Sequence, residues 1–471
     1  MRKHRLGKTL RRLLTAFLAL YVLAAVAPYA AVPAGPKSEA VSAIVERQPA
    51  QGDRAAILPT GQQALETRLN LIANAKTSLV VGTYLYADDE SGMTIASALL
   101  AAADRGVSVR ILTDGLIGAF NLLGSNLGYA LGAHPNIEVR YYNPVNLLEP
   151  WGLSARYHEK YVIADDRVFV LGGRNISDEF LTQEGHPSYN YDMDVLVWRE
   201  SPAEGSACAA LAAYFDTLWE TRCKPQFTGL PAGRREAVEA LRGELNARYA
   251  GLCQTYAGAM APVDWEAQTT PIDGFALLHN PTNAGVKEPE VWAGLTALMR
   301  QAQERVWIQT PYLVLNSRMR DDLAQAAALP PDMQIITNSR AGGNNIVASS
   351  DAVFHRPMVT KMQLALYEFQ GNASMHTKTM LIDHDISVFG SFNFDMRSAY
   401  SDTELMLVIH SEEINRQLEL HMREMRAQSL RVEADGSYAQ EDGVEALVTP
   451  WGKNLLILLA SPLISLVRFL V

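Results

Sequence analysis

The sequence predicts a mixed α/β protein, built from two copies of one α/β unit that share a single active site. Two observations predict this. Residues 77–114 and residues 304–339 each read as strand, helix, strand, the pattern of βαβ units in mixed, mostly parallel sheets flanked by helices. One set of residue types also recurs at the same spacings in both halves. Hydrophobic residues make up 48% of the chain, which is enough for a packed core.

The predicted units follow one another along the chain. In order, we predict a targeting segment (1–34), a linker (35–58), the first unit (59–200), a helical connector (201–275), the second unit (276–430), and an acidic linker with an apolar tail (431–471).

The N-terminal segment has the features of a targeting signal. Six of the 41 basic residues, and no acidic residue, lie in residues 1–34, and residues 13–34 are mostly apolar. This pattern fits a signal peptide cleaved after Ala34, or an uncleaved signal-anchor. Either reading predicts that the body after residue 35 faces outward from a membrane, because flanking cations stay in the cytoplasm.

The charge of the rest of the chain restricts its partners. The whole chain has a net charge of −10 although its first segment is basic, so the body is strongly acidic. General nucleic-acid binding depends on neutralising phosphates, so we expect no nucleic-acid partner. An anionic substrate must instead meet a local basic pocket.

Two further features leave alternatives open. Residues 455–467 are almost wholly apolar, which fits an interfacial membrane anchor or a helix packed on the body. The three cysteines, Cys208, Cys223 and Cys253, lack a Cys-x-x-Cys spacing and so do not indicate zinc. One disulfide and three buried free thiols are both compatible with the sequence.

The repeat consists of a histidine and four residue types at fixed offsets from it. The paired positions are His158 and His376, Lys160 and Lys378 at +2, Asp165 and Asp383 at +7, Gly172 and Gly390 at +14, and Asn175 and Asn393 at +17. Five matches 218 residues apart are difficult to ascribe to chance. We therefore interpret both copies as parts of one site.

Each copy reads as a β-hairpin. Histidine and lysine, two residues apart, share one face of the first strand. Asp165 and Asp383 fall in the turn, so we predict a structural role for them. On the return strand, Gly172-Gly173 and Gly390-Ser391 are expected to let a ligand approach the backbone closely. Asn175 and Asn393 are expected to donate amide hydrogen bonds to the same ligand.

An acid that orients each imidazole is expected further along the chain. The strand-like stretches "YDMDVLVW" and "SDTELMLVI" follow the two hairpins, and their alignment pairs Asp194 with Glu404. A buried carboxylate fixes the tautomer of an imidazole and stabilises its charged form. We predict Asp194 and Glu404 in this role, with Asp192 and Asp402 as the alternates.

Two imidazoles on opposite sides of one phosphorus can divide a displacement into two steps. One attacks and becomes a phosphohistidine. The other protonates the leaving alcohol and then deprotonates the incoming one. Lysine, asparagine and backbone N–H groups can meet the charge that develops. No metal and no cofactor are expected.

The motifs "HEKYVIAD…GGRN" and "HTKTMLID…GSFNFDMRS" resemble the paired HxK(x)4D motifs of the phospholipase D superfamily. With the two apolar ends, "VVGTYLYADDESG" and "ALLAAADRGVSVRILTD" are most similar to bacterial cardiolipin synthases. The resemblance implies the pseudo-symmetric fold, the phosphohistidine route and an anionic phospholipid substrate at a membrane. It also implies that His158 is the nucleophile and His376 the acid and base.

The acceptor is left open by the sequence. A cardiolipin synthase uses the hydroxyl of a second phosphatidylglycerol, whereas a phospholipase D with the same residues would use water and release phosphatidic acid. A nuclease is disfavoured by the acidic body and apolar ends, and a silent membrane scaffold by the intact residues of both copies. The Gly/Asn/Ser-rich stretch before His376 has no assigned role.

Overall fold

The computed structural model describes residues 2–31, 33, 35–50, 52–225, 229–440 and 443–470. The proposed cleavage position, Ala34, lies outside these residues. All three cysteines are free thiols.

The strands occur in two sets. Up to the connector they are β1 (Gln48–Pro49), β2 (Arg54–Leu58), β3 (Ser78–Thr83), β4 (Ser108–Asp114), β5 (Ile137–Tyr142), β6 (Lys160–Ala164), β7 (Val168–Gly172), β8 (Asn190–Tyr191), β9 (Asp194–Trp198) and β10 (Cys223–Pro225). After it they are β11 (Thr270–Pro271), β12 (Gly274–His279), β13 (Arg305–Gln309), β14 (Leu313–Val314), β15 (Asp332–Asn338), β16 (Ala365–Phe369), β17 (Ser374–Met375), β18 (Thr379–Ile382), β19 (Ile386–Gly390), β20 (Phe394–Asp395), β21 (Leu405–His410) and β22 (Ser429–Arg431).

The helices flank these strands and extend both ends of the chain. They are α1 (Arg2–Ala30), α2 (Ser38–Ile44), α3 (Gly61–Asn74), α4 (Glu90–Asp104), α5 (Ile117–Leu122), α6 (Asn126–Gly132), α7 (Asp178–Leu181), α8 (Ala207–Glu220), α9 (Arg235–Thr255), α10 (Ala257–Met260), α11 (Trp265–Gln268), α12 (Glu290–Gln301), α13 (Ser317–Ala327), α14 (Ile346–Val359), α15 (Met396–Tyr400), α16 (Glu412–Arg426) and α17 (Trp451–Val467).

Two nine-stranded sheets repeat one topology. The first has the order β10-β5-β4-β3-β6-β7-β9-β2-β11 and the second the order β1-β12-β21-β19-β18-β13-β15-β16-β22. Read in opposite directions, β5-β4-β3-β6-β7-β9-β2 corresponds to β16-β15-β13-β18-β19-β21-β12. The prediction of two pseudo-symmetric α/β units is therefore confirmed.

The sheets are mixed, as predicted, but they are mostly antiparallel rather than mostly parallel. Parallel pairing is confined to β3-β4-β5 in the first sheet and β13-β15-β16 in the second. The difference arises because each motif hairpin, β6-β7 or β18-β19, lies in the middle of its sheet. A hairpin and the strand that returns beside it pair antiparallel.

The two units share a core. Aromatic and aliphatic side chains of both sheets, among them Phe169, Val195, Trp307 and Phe389, form one buried cluster with α8 and α16. The outer faces pack separately, against α3, α4 and α9 in the first unit and against α12 and α13 in the second. Burial of this shared surface fixes how the two motifs face each other.

The segments predicted as linkers contain regular structure. Residues 35–58 hold α2, β1 and β2, and β1 pairs with β12 of the second sheet. In exchange, β11 pairs with β2 of the first sheet. The acidic segment after residue 430 is also attached to the body, since Tyr438 bonds to Glu368 through its hydroxyl and Val432 forms a β-bridge with Tyr438.

Candidate active site

His158 lies two residues before β6, beside a segment of the second unit. Tyr157 forms a parallel bridge with Thr403, and the backbone N–H of His158 donates to the carbonyl of Thr403 at 3.3 Å. This pairing brings Nδ1 of His158 to 2.9 Å from Oε1 of Glu404. The orienting carboxylate of the first histidine is thus supplied by the second unit.

His376 is held by the reciprocal arrangement. The two-residue strands β17 and β8 pair in parallel, and the N–H of His376 donates to the carbonyl of Tyr191 at 2.6 Å. Nδ1 of His376 lies 2.7 Å from Oδ2 of Asp192. Each histidine therefore has its Nδ1 bound by the other unit, which leaves Nε2 for a substrate.

The prediction of Asp194 as an orienting acid is wrong, and the alternate, Asp192, occupies that position. Register explains the error: Gly172 pairs with Asp194, whereas the equivalent Gly390 pairs with Met406. Asp192 is thus the counterpart of Glu404. Asp192 lies two residues before β9 and Asp194 is its first residue, and no local signal in the sequence separates the two.

Asp194 instead has structural partners. Its carboxylate lies 2.9 Å from Arg68 and 3.5 Å from Arg174, and all three side chains are buried. The other alternate, Asp402, accepts the N–H of Arg156 at 3.0 Å and lies 3.3 Å from Arg397. Neither carboxylate contacts an imidazole in the described hydrogen bonds.

Lys160 and Lys378 are buried at the start of the two motif strands, each 1% exposed. Nζ of Lys160 donates to the carbonyl of His158 and lies 5.2 Å from the centre of the Tyr84 ring. Nζ of Lys378 donates to the carbonyl of His376. Burial lowers the pKa of Lys160 to about 7 and that of Lys378 to about 8.

The electrostatics join the two motifs into one site. Burial is the largest cause that lowers the pKa of His158 well below its usual value, and both Lys160 and Lys378 add to it. Burial and then Lys378 lower the pKa of His376 to about 4, and Lys160 contributes there as well. Each imidazole is thus within electrostatic range of both lysines.

Two serines hold Glu404, a contact that the sequence did not reveal. Ser391 and Ser398 both donate hydroxyl hydrogen bonds to this carboxylate. Burial raises the pKa of Glu404 to about 8, although Lys160 opposes that shift. Ser391 was predicted to give a ligand access to the backbone, whereas the structure places its hydroxyl on the orienting acid.

The glycines also differ from their predicted role. A Cβ atom on Gly173 would lie 2.5 Å from both carboxylate oxygens of Asp192, and one on Gly172 would lie 2.0 Å from Oδ1 of Asp194. A Cβ atom on Gly390 would lie 2.1 Å from the carbonyl oxygen of Leu405. These glycines make room for the neighbouring strand and its acids, not for a ligand.

The asparagines are anchored beside the site. Asn175 lines a cavity at the site, and its Oδ1 accepts the N–H of Leu85 at 3.3 Å, while no described hydrogen bond uses its Nδ2. Nδ2 of Asn393 donates to the hydroxyl of Tyr312 at 3.2 Å. Tyr84 packs against His158 and Phe180 against His376, with ring centres 5.0 and 4.9 Å apart.

Asp165 and Asp383 lie in the hairpin turns, away from the imidazoles. Asp165 accepts the N–H groups of Lys76, Thr77 and Ser78. Asp383 accepts the equivalent N–H groups of residues 303–305. Burial opposes ionisation of both carboxyls, but these hydrogen bonds outweigh it and hold each pKa below its usual value.

A cavity of about 520 Å³ opens beside His376. Asn175, Phe180, residues of α14 and the segment before α17 line it. Residues of both units line it, and His376 is among them.

The fold and the crossed histidine–carboxylate pairs define a two-unit enzyme of the phospholipase D type. The family described as "Cardiolipin synthase, PLD-like domain" matches residues 69–219 and 295–426, and the chain belongs to this family. The resemblance drawn from the motifs is therefore confirmed, as is the expectation of a phospholipase D-type phosphatidyltransferase similar to cardiolipin synthases.

Individual relatives agree with this. Cardiolipin synthase C of Escherichia coli K12 is 30% identical over 397 residues, which cover 74% of this chain and 80% of that protein. An uncharacterised protein of Helicobacter pylori strain 26695 is 24% identical over 416 residues, 80% of each chain. The crystal structure of phosphatidylserine synthase from Haemophilus influenzae Rd KW20 covers 92% of this chain and 99% of that one, with a TM-score of 0.63 and 17% identity, a likeness of fold.

Proposed function

We propose that the protein is a membrane-bound phosphatidyltransferase that makes cardiolipin from phosphatidylglycerol through a phosphohistidine intermediate. The observation that supports this most directly is the crossed pairing of His158 with Glu404 and of His376 with Asp192. In this arrangement a carboxylate binds Nδ1 of each imidazole, and both lysines act electrostatically on both imidazoles. A single histidine site would not need the two units to exchange their acids.

In the first displacement, Nε2 of His158 attacks the phosphorus of phosphatidylglycerol. The bond from phosphorus to the glycerol oxygen breaks, and Nε2–H of His376 gives its proton to that oxygen. Glycerol leaves, and the phosphatidyl group remains on His158. In the empty site the pKa of His376 is about 4, and a bound phosphodiester anion raises it because an opposite charge favours the imidazolium.

In the second displacement, His376 takes the proton of the acceptor hydroxyl. The acceptor oxygen attacks phosphorus, and the bond to Nε2 of His158 breaks. Lys160 and Lys378 stabilise the charge on the phosphoryl oxygens in both steps, together with the amide of Asn175. Both imidazoles return to their starting protonation states.

The membrane part of the proposal rests on α1 and the loops at its base. Residues 8–30 form a helix long and apolar enough to cross a bilayer, and only 6% of its most apolar 18-residue stretch is buried against the rest of the protein. The hydroxyls of Tyr21 and Tyr29 donate to the carbonyls of Leu147 and Trp151. Helix α1 therefore ends against a loop whose Leu147 and Leu148 side chains are 67% and 86% exposed.

Two sets of side chains on the C-terminal helix bear on its role. Ile457 and Ser461 are buried, and Ser461 donates to the carbonyl of Ser350 on α14 at 2.9 Å. Leu456, Leu459 and Leu463 remain more than half exposed. We propose that α17 packs on the body and presents this face to the bilayer surface, with the body outside the cytoplasm.

Incubation of the purified full chain with labelled phosphatidylglycerol tests the function. Cardiolipin and free glycerol in equal amounts are expected. Phosphatidic acid as the sole phospholipid product would establish a phospholipase D instead, and no turnover would contradict an enzyme. His158→Ala and His376→Ala are each expected to abolish turnover, because neither imidazole can act as nucleophile and as acid.

A further inference from the structure

The roles assigned to the two motifs leave the cavity beside His376 without a function. We propose that it binds a polyhydric alcohol, first as the leaving group and then as the acceptor, and that α14 and the C-terminal segment select this alcohol. The inference rests on the proposed phosphatidyltransferase function and deepens it. It gives a role to the Gly/Asn/Ser-rich stretch before the second motif, which supplies much of the wall.

The cavity is asymmetric with respect to the two motifs. Among the described residues that line it, His376 is present and His158 is not. An alcohol in this cavity therefore has its hydroxyl next to His376, which is the position for proton transfer to or from that oxygen. The phosphorus then lies between this oxygen and His158, so the cavity supports His158 as the nucleophile.

The wall offers hydrogen bonds to several hydroxyl groups. Asn344 donates through Nδ2 to Oδ1 of Asn190 at 3.1 Å, which leaves Nδ2 of Asn190 and Oδ1 of Asn344 for a ligand among the described hydrogen bonds. The amides of Asn338 and Asn345 are instead engaged by backbone groups. Thr337 is 7% exposed, and its hydroxyl has no hydrogen-bond partner among the described residues. A buried polar atom without a partner costs free energy, which a ligand hydroxyl would recover.

The charges of the wall largely compensate one another. Nε of Arg356 lies 2.6 Å from Glu368, and the hydroxyl of Tyr438 bonds the same carboxylate. Arg340 bonds Asn454 at 3.2 Å, and an exposed Glu179 stands at the rim. One unneutralised charge of each sign remains, which suits an uncharged alcohol better than a quaternary ammonium or a free anion.

The C-terminal segment closes the far side of the cavity. Tyr438, Leu447 and Thr449 line it, and the N–H of Leu447 donates to Oε1 of Gln370 at 2.9 Å. Lys453 of α17 fixes this segment to the opposite wall by donating to the carbonyls of Ala341 and Gly343 at 2.8 and 2.7 Å. The selecting wall is thus built from parts of the chain outside both motifs.

A cavity-filling substitution in the full chain tests the assignment. The donor is phosphatidylmethanol, whose leaving alcohol is small, and glycerol and 1-propanol compete as acceptors at equal concentration. The wild type is expected to form more phosphatidylglycerol, counted together with the cardiolipin made from it, than phosphatidylpropanol. Ala352→Leu, on the cavity face of α14, is expected to lower the ratio of phosphatidylglycerol to phosphatidic acid roughly tenfold or more.

Two further variants make the test independent of folding. Val347→Leu places a leucine on the exposed side of α14, where it adds one methylene group outside the cavity, and is expected to keep the wild-type ratio. Thr337→Val keeps the volume but removes the unpartnered hydroxyl, and is expected to lower the preference for glycerol over propanol several-fold.

The outcomes separate the two proposals. No preference for glycerol in the wild type, or wild-type ratios in both Ala352→Leu and Thr337→Val, would overturn the alcohol site while the transfer activity stands. No consumption of phosphatidylmethanol and phosphatidylglycerol by the wild type would overturn the proposed function itself, and the alcohol site with it.

Discussion

Nδ1 of His158 lies 2.9 Å from Oε1 of Glu404, although 246 residues separate them along the chain. The reciprocal pair, His376 and Asp192, is separated by 184 residues. Neither unit therefore contains a complete histidine–carboxylate pair. The two copies of the motif depend on each other for orientation, which explains why both remain intact.

The corrected acid is testable with a matched pair of substitutions two residues apart. Asp192→Asn is expected to lower turnover on the order of 10⁴-fold without unfolding, because an amide can stabilise the wrong tautomer of His376 and cannot stabilise its charge. Steady-state kinetics and thermal unfolding of the same preparation measure both effects.

Asp194→Asn is the control, and we expect it to lower stability rather than turnover. It leaves Arg68 and Arg174 buried without their carboxylate, so the free energy of unfolding should fall by about 3 to 5 kcal/mol. Turnover per folded molecule should remain within a fewfold of wild type. The reverse result, a stable inactive Asp194→Asn protein with an active Asp192→Asn protein, would refute the structural register.

The lysines predict an alkaline loss of activity. The pKa values of Lys160 and Lys378 are lowered to about 7 and about 8, so both lose their charge as pH rises through this range. A neutral lysine no longer attracts the phosphodiester anion, so kcat/KM, which already declines above the free-enzyme pKa of His376 of about 4, should decline more steeply as pH rises through about 7 and again through about 8. A kcat/KM profile of the free enzyme reports these groups.

Lys160→Met separates the two steps. The substitution keeps the length of the side chain and removes its charge, so kcat/KM at pH 6 should fall on the order of 10²-fold. Above the decline caused by His376, the remaining profile should steepen only once, near pH 8. A flat wild-type profile up to pH 9 would show that the lysine charges do not limit substrate capture.

The membrane surface is testable by site-specific labelling of the reconstituted full chain. In a Cys253→Ser background, which lacks the exposed thiol, Leu148→Cys carries an environment-sensitive fluorophore. We expect blue-shifted emission and quenching by brominated lipids, since Leu148 is 86% exposed on the loop that contacts α1.

Leu329→Cys in the same background provides the comparison. Leu329 is also exposed, at 56%, but it follows α13 and has no contact with α1 among the described hydrogen bonds. Its label should stay solvent-like. Equal quenching at both positions, or at neither, would refute the assignment of the loop to the bilayer surface.

The turn aspartates predict a loss of stability rather than of chemistry. Asp165→Ala removes the acceptor of three backbone N–H groups, and we expect the free energy of unfolding to fall by about 1 to 3 kcal/mol. Because Asp165 has a φ of 53°, Asp165→Gly distinguishes backbone strain from the lost hydrogen bonds. A stable but inactive Asp165→Gly protein would instead indicate a catalytic role.

The pattern of the sequence predicted a large part of this architecture. Strands, helices and hairpins could be predicted because the alternation of apolar residues and the positions of turn residues are local properties of the chain. The direction of pairing could not, since the position of the β6-β7 hairpin inside its sheet depends on contacts with β3 and β9. The excess of antiparallel over parallel pairs could therefore not be predicted from local patterns.

What the sequence alone determined is the chemistry available to the protein: two histidines, two lysines and two asparagines at matched offsets, with an apolar helix in front of them. Only the tertiary structure decided which carboxylate serves which imidazole, and that Gly172, Gly173 and Ser391 accommodate or hold those acids. The physical reason is that spacing within a strand fixes which side chains share a face, whereas partners across the two units are fixed by the packing of one sheet on the other.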